Sequence, residues 1–284
     1  MNHHPYLAGA LALLAVGAAQ AARAQAPGAA APVASPTSPA TPPLPRQSDG
    51  HPDLNGTWDN GSGYDFLHPE HLAGGSVCVA GCEAPPPAPK PGAPPAARAP
   101  RNFPKYRPEY LAKVAQLDKN QLQMDPVLHC RSPGLPRIGP PDKIVQLPGQ
   151  IVFLYDDVSG DFWRIIPMDG RPHRADVDPS TLGDSIGHWE GDTLVVEANQ
   201  FNDDSWLTDN GAFHSTELTV TERLSRVGNT LHYEAVATDP KVLTEPWKVT
   251  RVAQLTDVDL VEATPCIDKD LSHVIDGTHH DNPR

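Results

Sequence analysis

No segment of the 284-residue sequence is apolar for long enough to span a bilayer. The longest such run, Leu7 to Ala19, is roughly 13 residues against the ~20 a spanning helix needs. A cationic surplus is missing too: 22 Lys and Arg stand against 35 Asp and Glu, a net charge of -13. A surface that acidic repels phosphate backbones and anionic lipid, which disfavours nucleic-acid and membrane-surface roles and leaves solubility as its plain explanation. Glycine motifs of the dinucleotide-binding and P-loop kinds are absent. So is the G-x-S-x-G frame of a nucleophile elbow, so Ser215 beside His214 does not read as a nucleophile. H-x-x-x-H and H-x-H spacings are missing, and Asn202-Asp203-Asp204 lacks the Gly and distal Glu of a calcium loop, which leaves a solvated turn. Nothing in the sequence implies a cofactor.

What is present begins with residues 1–24, which read as a secretory signal peptide: the apolar run is followed by Ala19-Gln20-Ala21 and Ala22-Arg23-Ala24, two small-x-small cleavage sites. Histidines rather than Lys or Arg precede the run, a departure from the usual leader. The expectation is a periplasmic or secreted protein with no membrane insertion after cleavage. Proline, 33 of 284 residues, is concentrated in a linker at 25–48 and an insertion at about 83–108, both expected to be extended and solvated. Residues 49–284, less that insertion, suit one domain. The four cysteines, Cys78, Cys82, Cys130 and Cys266, allow three pairings in an oxidising compartment. The favoured pairing closes a small loop at Cys78–Cys82 and ties the domain ends together through Cys130–Cys266.

One stretch, Pro108 to Leu122, has helical spacing. The rest reads as short strands: Lys143–Leu147, Ile151–Tyr155, Phe162–Ile166, Thr193–Glu197, Glu217–Leu224, Thr230–Thr238, Trp247–Leu255 and Asp259–Glu262. Tight turns at Glu190-Gly191-Asp192 and Val227-Gly228-Asn229 favour antiparallel pairing. The predicted class is all-β, an antiparallel barrel or sandwich. Two G-x-W triplets, Gly56-Thr57-Trp58 and Gly187-His188-Trp189, resemble the lipocalin signature and imply a calycin-like barrel.

The segment Ser185-Ile186-Gly187-His188-Trp189-Glu190-Gly191-Asp192-Thr193-Leu194-Val195-Val196-Glu197 resembles a widespread family of uncharacterised secreted bacterial proteins. The likeness extends to Asp49 through Trp58, to Cys130 with Gly134-Leu135-Pro136-Arg137, to Asp169-Gly170-Arg171 with His173, and to Phe201 with Trp206. It takes in His214-Ser215, Glu222-Arg223, Asp239-Pro240 and Pro246-Trp247. It implies a shared fold and pocket and supplies no reaction.

Alternation places charges in unusual positions. Leu218, Val220, Glu222 and Leu224 share one face of their strand, so the Glu222 carboxylate is expected among hydrocarbon, where a general acid or base can be tuned. Trp247, Val249, Arg251, Ala253 and Leu255 likewise share a face. The structural alternative is that Glu222 pairs with Arg251 or Arg223. His173 and His214 sit on loops that, at one barrel rim, would join Glu222 as an acid/base set or as a two-His, one-carboxylate metal site. Arg251 or Arg171 would orient an anionic group, and Trp206 or Trp189 would line an apolar pocket or pack the core.

Three functions follow from this pattern. The first is an isomerase, lyase or hydratase acting on a small, largely apolar substrate through Glu222, His214 and His173. The second is a lipocalin-like carrier of such a ligand, and the third an envelope scaffold protein.

Overall fold

A computed structural model of the chain describes residues 44–61, 70–71, 77–78, 102–262 and 265–266, all within one compact unit. The leader, most of both Pro-rich tracts and the expected Cys78–Cys82 bridge lie outside the described residues. The architecture is a nearly closed antiparallel barrel.

Its strands are β1 (Gly56–Asp59), β4 (Lys143–Leu147), β5 (Gln150–Asp157), β6 (Gly160–Pro167), β7 (Asp184–Glu190), β8 (Thr193–Asn199), β9 (Thr219–Val227), β10 (Thr230–Thr238) and β11 (Trp247–Thr256). They form one sheet in the order β6-β5-β4-β1-β11-β10-β9-β8-β7. A separate two-residue ladder joins β2 (Glu70–His71) to β3 (Val77–Cys78). The expected helix forms in pieces: a 3₁₀ turn at Pro108–Tyr110, then α1 (Leu111–Lys119) and α2 (Gln121–Met124), separated at Asn120. Among the described residues no helix is long and apolar enough to cross a membrane.

Period-two alternation fixes what faces inward. Ile151, Phe153 and Tyr155 from β5, Leu194, Val196 and Ala198 from β8, and Leu231, Tyr233, Ala235 and Ala237 from β10 are all buried in one core. Trp58 fills the interior beside them and donates its indole N–H to the Leu54 carbonyl at 2.9 Å. A tryptophan there needs such an acceptor, since a buried, unmatched N–H is costly.

The wall closes where the terminal strands β6 and β7 approach. Gly187 makes that approach possible: a Cβ there would stand 2.6 Å from Met168 Sδ and 2.8 Å from Ile166 Cγ2. The Cys130–Cys266 disulfide, spanning 136 positions, ties the segment before β4 to the chain after β11, and is compatible with an oxidising compartment.

Three readings of the sequence change. Asp259–Glu262 forms no strand; Asp259 instead accepts a hydrogen bond from Lys143 Nζ at 2.5 Å. At the preceding residues β1 already occupies the edge of β11, so the segment has no ladder to join. β1 and β7 join the predicted strands. Their patterns are weak because β1 is only four residues long, and the inward set of β7, Ser185, Gly187 and Trp189, holds one large apolar side chain.

Candidate functional site

Five strands place polar groups in the barrel interior. Glu222 of β9 points inward, as its alternation predicts, and is 0% exposed. Its partner is neither Arg251 nor Arg223 but Arg164 of β6, whose Nη1 lies 2.6 Å from Glu222 Oε2. That contact is an ion pair set by distance rather than an aligned hydrogen bond. Tyr233 of β10 donates its hydroxyl to Glu222 Oε1 at 3.0 Å, and Arg164 Nη1 donates to the Tyr155 hydroxyl of β5 at 3.1 Å. The rest of the guanidinium crosses the seam, with Nη2 and Nε donating to Ser185 Oγ of β7 at 2.8 and 3.2 Å. No ladder joins β6 to β7 among the described residues, and Arg164 is a polar tie across that gap.

Burial opposes the Arg164 charge, but Glu222 and Tyr155 more than offset it and its pKa ends above the ordinary value. Burial pushes both tyrosines up, with Glu222 adding to the effect, so their hydroxyls stay protonated. A charge pair in hydrocarbon rarely stabilises more than well-packed apolar residues would, whereas breaking one strands a buried charge. The cluster therefore ties the wall together from within.

Meander topology puts the β6–β7 loop with His173 and the β8–β9 loop with His214 at the same end of the barrel, yet each ring is engaged locally. His173 Nδ1 lies 3.1 Å from Asp184 Oδ2, and the same carboxylate takes Arg174 Nε at 2.7 Å. Burial would raise the Asp184 pKa, but these donors hold it below the ordinary value. His214 is buried: its Nε2 accepts from Ser205 Oγ at 2.9 Å, its Nδ1 donates to the Ser215 carbonyl at 3.0 Å, and Phe201 meets it edge-on. Burial lowers its pKa, which matches this neutral tautomer. The hydrogen-bond and ion-pair partners of Glu222, His173 and His214 are three separate sets, with no such contact between any two of the three among the described residues. Among the described residues no group of three or more His, Cys, Asp or Glu is placed to hold a metal ion.

The other expected site residues divide between core and surface. Trp206 is buried and bridges Phe213, which makes it a packing residue. Trp189 is half-buried, its ring stacked on His51 at 4.7 Å. Arg171 is exposed and bound to Asp169 on its own loop at 2.5 Å. Arg223 faces outward and pairs with Glu190 at 2.6 Å.

Arg251 shares the parity of the inward set, yet it is exposed. The reason lies in the wall. β1 covers β11 only at Gln254–Thr256, so the half of β11 that carries Arg251 has no strand on that side among the described residues. The guanidinium donates to the Thr250 carbonyl at 3.3 Å and has no carboxylate partner among the described residues. It borders a groove of about 530 Å³ over β9–β11, with Arg223, His232, Glu234, Thr250 and Val252 along its sides.

Sequence reasoning missed Arg164, although Phe162, Arg164 and Ile166 alternate with exposed residues in a strand it recognised. The signal was present in that parity. Comparison with models of protein families, with curated proteins and with solved structures gave no match for this chain.

Proposed function

We propose that this protein is an exported ligand-binding barrel, a carrier rather than an acid/base enzyme. Its ligand is a small molecule with an anionic group, seated in the groove over β9–β11. The observation that supports this reading most is Arg251, an exposed guanidinium with no carboxylate partner among the described residues, beside a groove of about 530 Å³. That volume falls in the range of small-ligand sites, and most of the residues that line it, among them Arg223, Ser225, His232, Glu234 and Thr250, are polar. Glu222 is unsuited to proton transfer with a ligand, because it is fully buried and its oxygens face Tyr233 and Arg164.

Calorimetric titration with a panel of small carboxylates, such as octanoate and phenylbutyrate, tests the reading. A charge-assisted contact is worth ~1.5–3 kcal/mol, so Arg251→Met should weaken binding roughly 10- to 100-fold. Equal affinity of wild type and Arg251→Met, or no binding of any carboxylate, would overturn the proposal.

A further inference from the structure

The outer wall of the barrel is apolar over β4, β5 and β6. Register sets the pattern, because residues directly opposite one another in a ladder point to the same side of the sheet. Leu154 stands opposite Trp163, and Val145, Val152 and Ile165 form the next row across the three strands. Leu147 follows one row on, opposite Gln150. The inward set of β5 is Ile151, Phe153 and Tyr155, so these six apolar side chains lie on the outside. Trp163 is 64% exposed, Ile165 48% and Leu147 45%, while Val145, Val152 and Leu154 are half-buried. The outward positions of β9–β11 carry Arg223, Glu234 and Lys248 instead, each in an ion pair.

Single exposed apolar residues are ordinary, whereas a contiguous group marks a contact surface. Its area and its charge point to the same occupant. The six side chains offer ~400 Å² of apolar surface, enough for the core of an interface whose polar rim brings it towards the ~800 Å² that each partner of a standard complex buries. A net charge of -13 opposes pairing of like copies, so a self-contact has to exclude charge, and these six side chains carry none. Lys143, which completes the row of Leu154 and Trp163, is paired with Asp259 at 2.5 Å. Asp156 and Asp161 lie opposite each other toward the β5–β6 turn, and Gln150 and Pro167 at the other end of the patch are uncharged. A two-fold axis running across the strands therefore sets each acidic end against the uncharged end of the other copy.

We infer that two copies of this chain pair reversibly through the outer face of β4–β6, about such an axis, with Trp163 as the main anchor. Closed two-fold pairing is the commonest form of self-association, and it asks only that one patch be complementary to itself. Tryptophan at the centre of a charge-free patch is the residue type that carries most binding energy at interfaces. The groove over β9–β11 lies on other strands, so the pairing does not depend on what that groove holds.

Sedimentation equilibrium of the protein from micromolar to millimolar concentration should show a reversible monomer–dimer transition. Trp163→Lys should raise the dissociation constant roughly 30-fold or more. Ile165→Lys should weaken the dimer in the same direction and replaces the first variant if that one does not fold. Val227→Lys alters another exposed apolar residue, 57% exposed at the end of β9, and should leave the dimer intact. A protein that is monomeric at millimolar concentration, or a dimer indifferent to both substitutions on the patch, overturns the inference. A monomer that floats with phosphatidylcholine vesicles also overturns it, and gives the face to lipid.

Discussion

The barrel interior and the groove over β9–β11 each hold an arginine at inward parity, and they are opposites in availability. Arg164 is 4% exposed and spends its donors on Ser185 and Tyr155 while pairing with Glu222. Arg251 reaches solvent through the uncovered half of β11 and touches one carbonyl. The difference is one of neighbouring strands. Where closure of the barrel covers the inner face of a strand, inward parity means burial and a buried charge must be matched by protein. Where a strand outruns its partner, the same parity leaves the cation at the surface.

The largest expected effect lies in the interior. Arg164→Met leaves Glu222 buried without its counter-charge, and loss of one member of a buried pair costs about 3–5 kcal/mol. Glu222→Met strands Arg164 in turn and should cost about as much. The double variant Arg164→Met, Glu222→Met should recover most of the loss, since two apolar side chains replace the pair without stranding either partner. Urea denaturation of the four proteins measures the coupling. Additive losses would mean that Arg164 stabilises mainly through Ser185 across the β6–β7 seam, and the contrast with Arg251 would then rest on the seam alone.

Much of this frame was legible before any coordinates. The strands at Lys143–Leu147 and Thr230–Thr238 begin and end where hydrophobic alternation and turns place them. The parity of Leu218, Val220, Glu222 and Leu224 correctly put a carboxylate inside. Its partner was harder to see, because Arg164 comes from the far end of the sheet order, and only closure brings β6 near β9. Alternation names the inward face of each strand but not which inward faces meet across a barrel. Arg251 failed for the complementary reason. The pattern of Trp247, Val249 and Ala253 is that of a covered strand, and nothing local to β11 reveals that β1 is four residues long. His173 and His214 were placed at a common rim by the meander, yet Asp184 and Ser205, their actual partners, come from strand or loop positions that periodicity leaves unmarked.

A smaller effect distinguishes the rim from both regions. Burial holds the His214 pKa below its ordinary 6.5, with Asp239 and Asp203 opposing that shift and Lys113 adding to it. The unfolded chain therefore takes up this proton first as pH falls. The stability that neutral His214 contributes is complete above pH 6.5 and declines below it. Asp142 acts in the opposite sense: burial raises its pKa from 3.8 to about 6, so its contribution is complete below 3.8 and is lost as pH rises through about 6. The wild-type profile contains both, and the difference between wild type and His214→Gln isolates the histidine. That difference should change with pH below 6.5 and be flat above it. A difference that is flat throughout would mean that the ring titrates alike in the folded and unfolded chains.

The smallest expected effect is the sharpest check on the comparison, because it applies one chemical change to both arginines. Arg251→Met removes a guanidinium whose only hydrogen bond among the described residues is to a neighbouring carbonyl near solvent. Surface changes of that kind usually move stability by no more than about 0.5 kcal/mol. The thermal midpoint should thus stay close to wild type in Arg251→Met and fall by many degrees in Arg164→Met, while carboxylate binding follows the reverse order among variants that remain folded. A fall in Arg251→Met comparable to that in Arg164→Met would show that the open half of β11 depends on its cation for structure. Arg251 would then be no free anion-recognising group, and the two regions would differ in depth but not in kind.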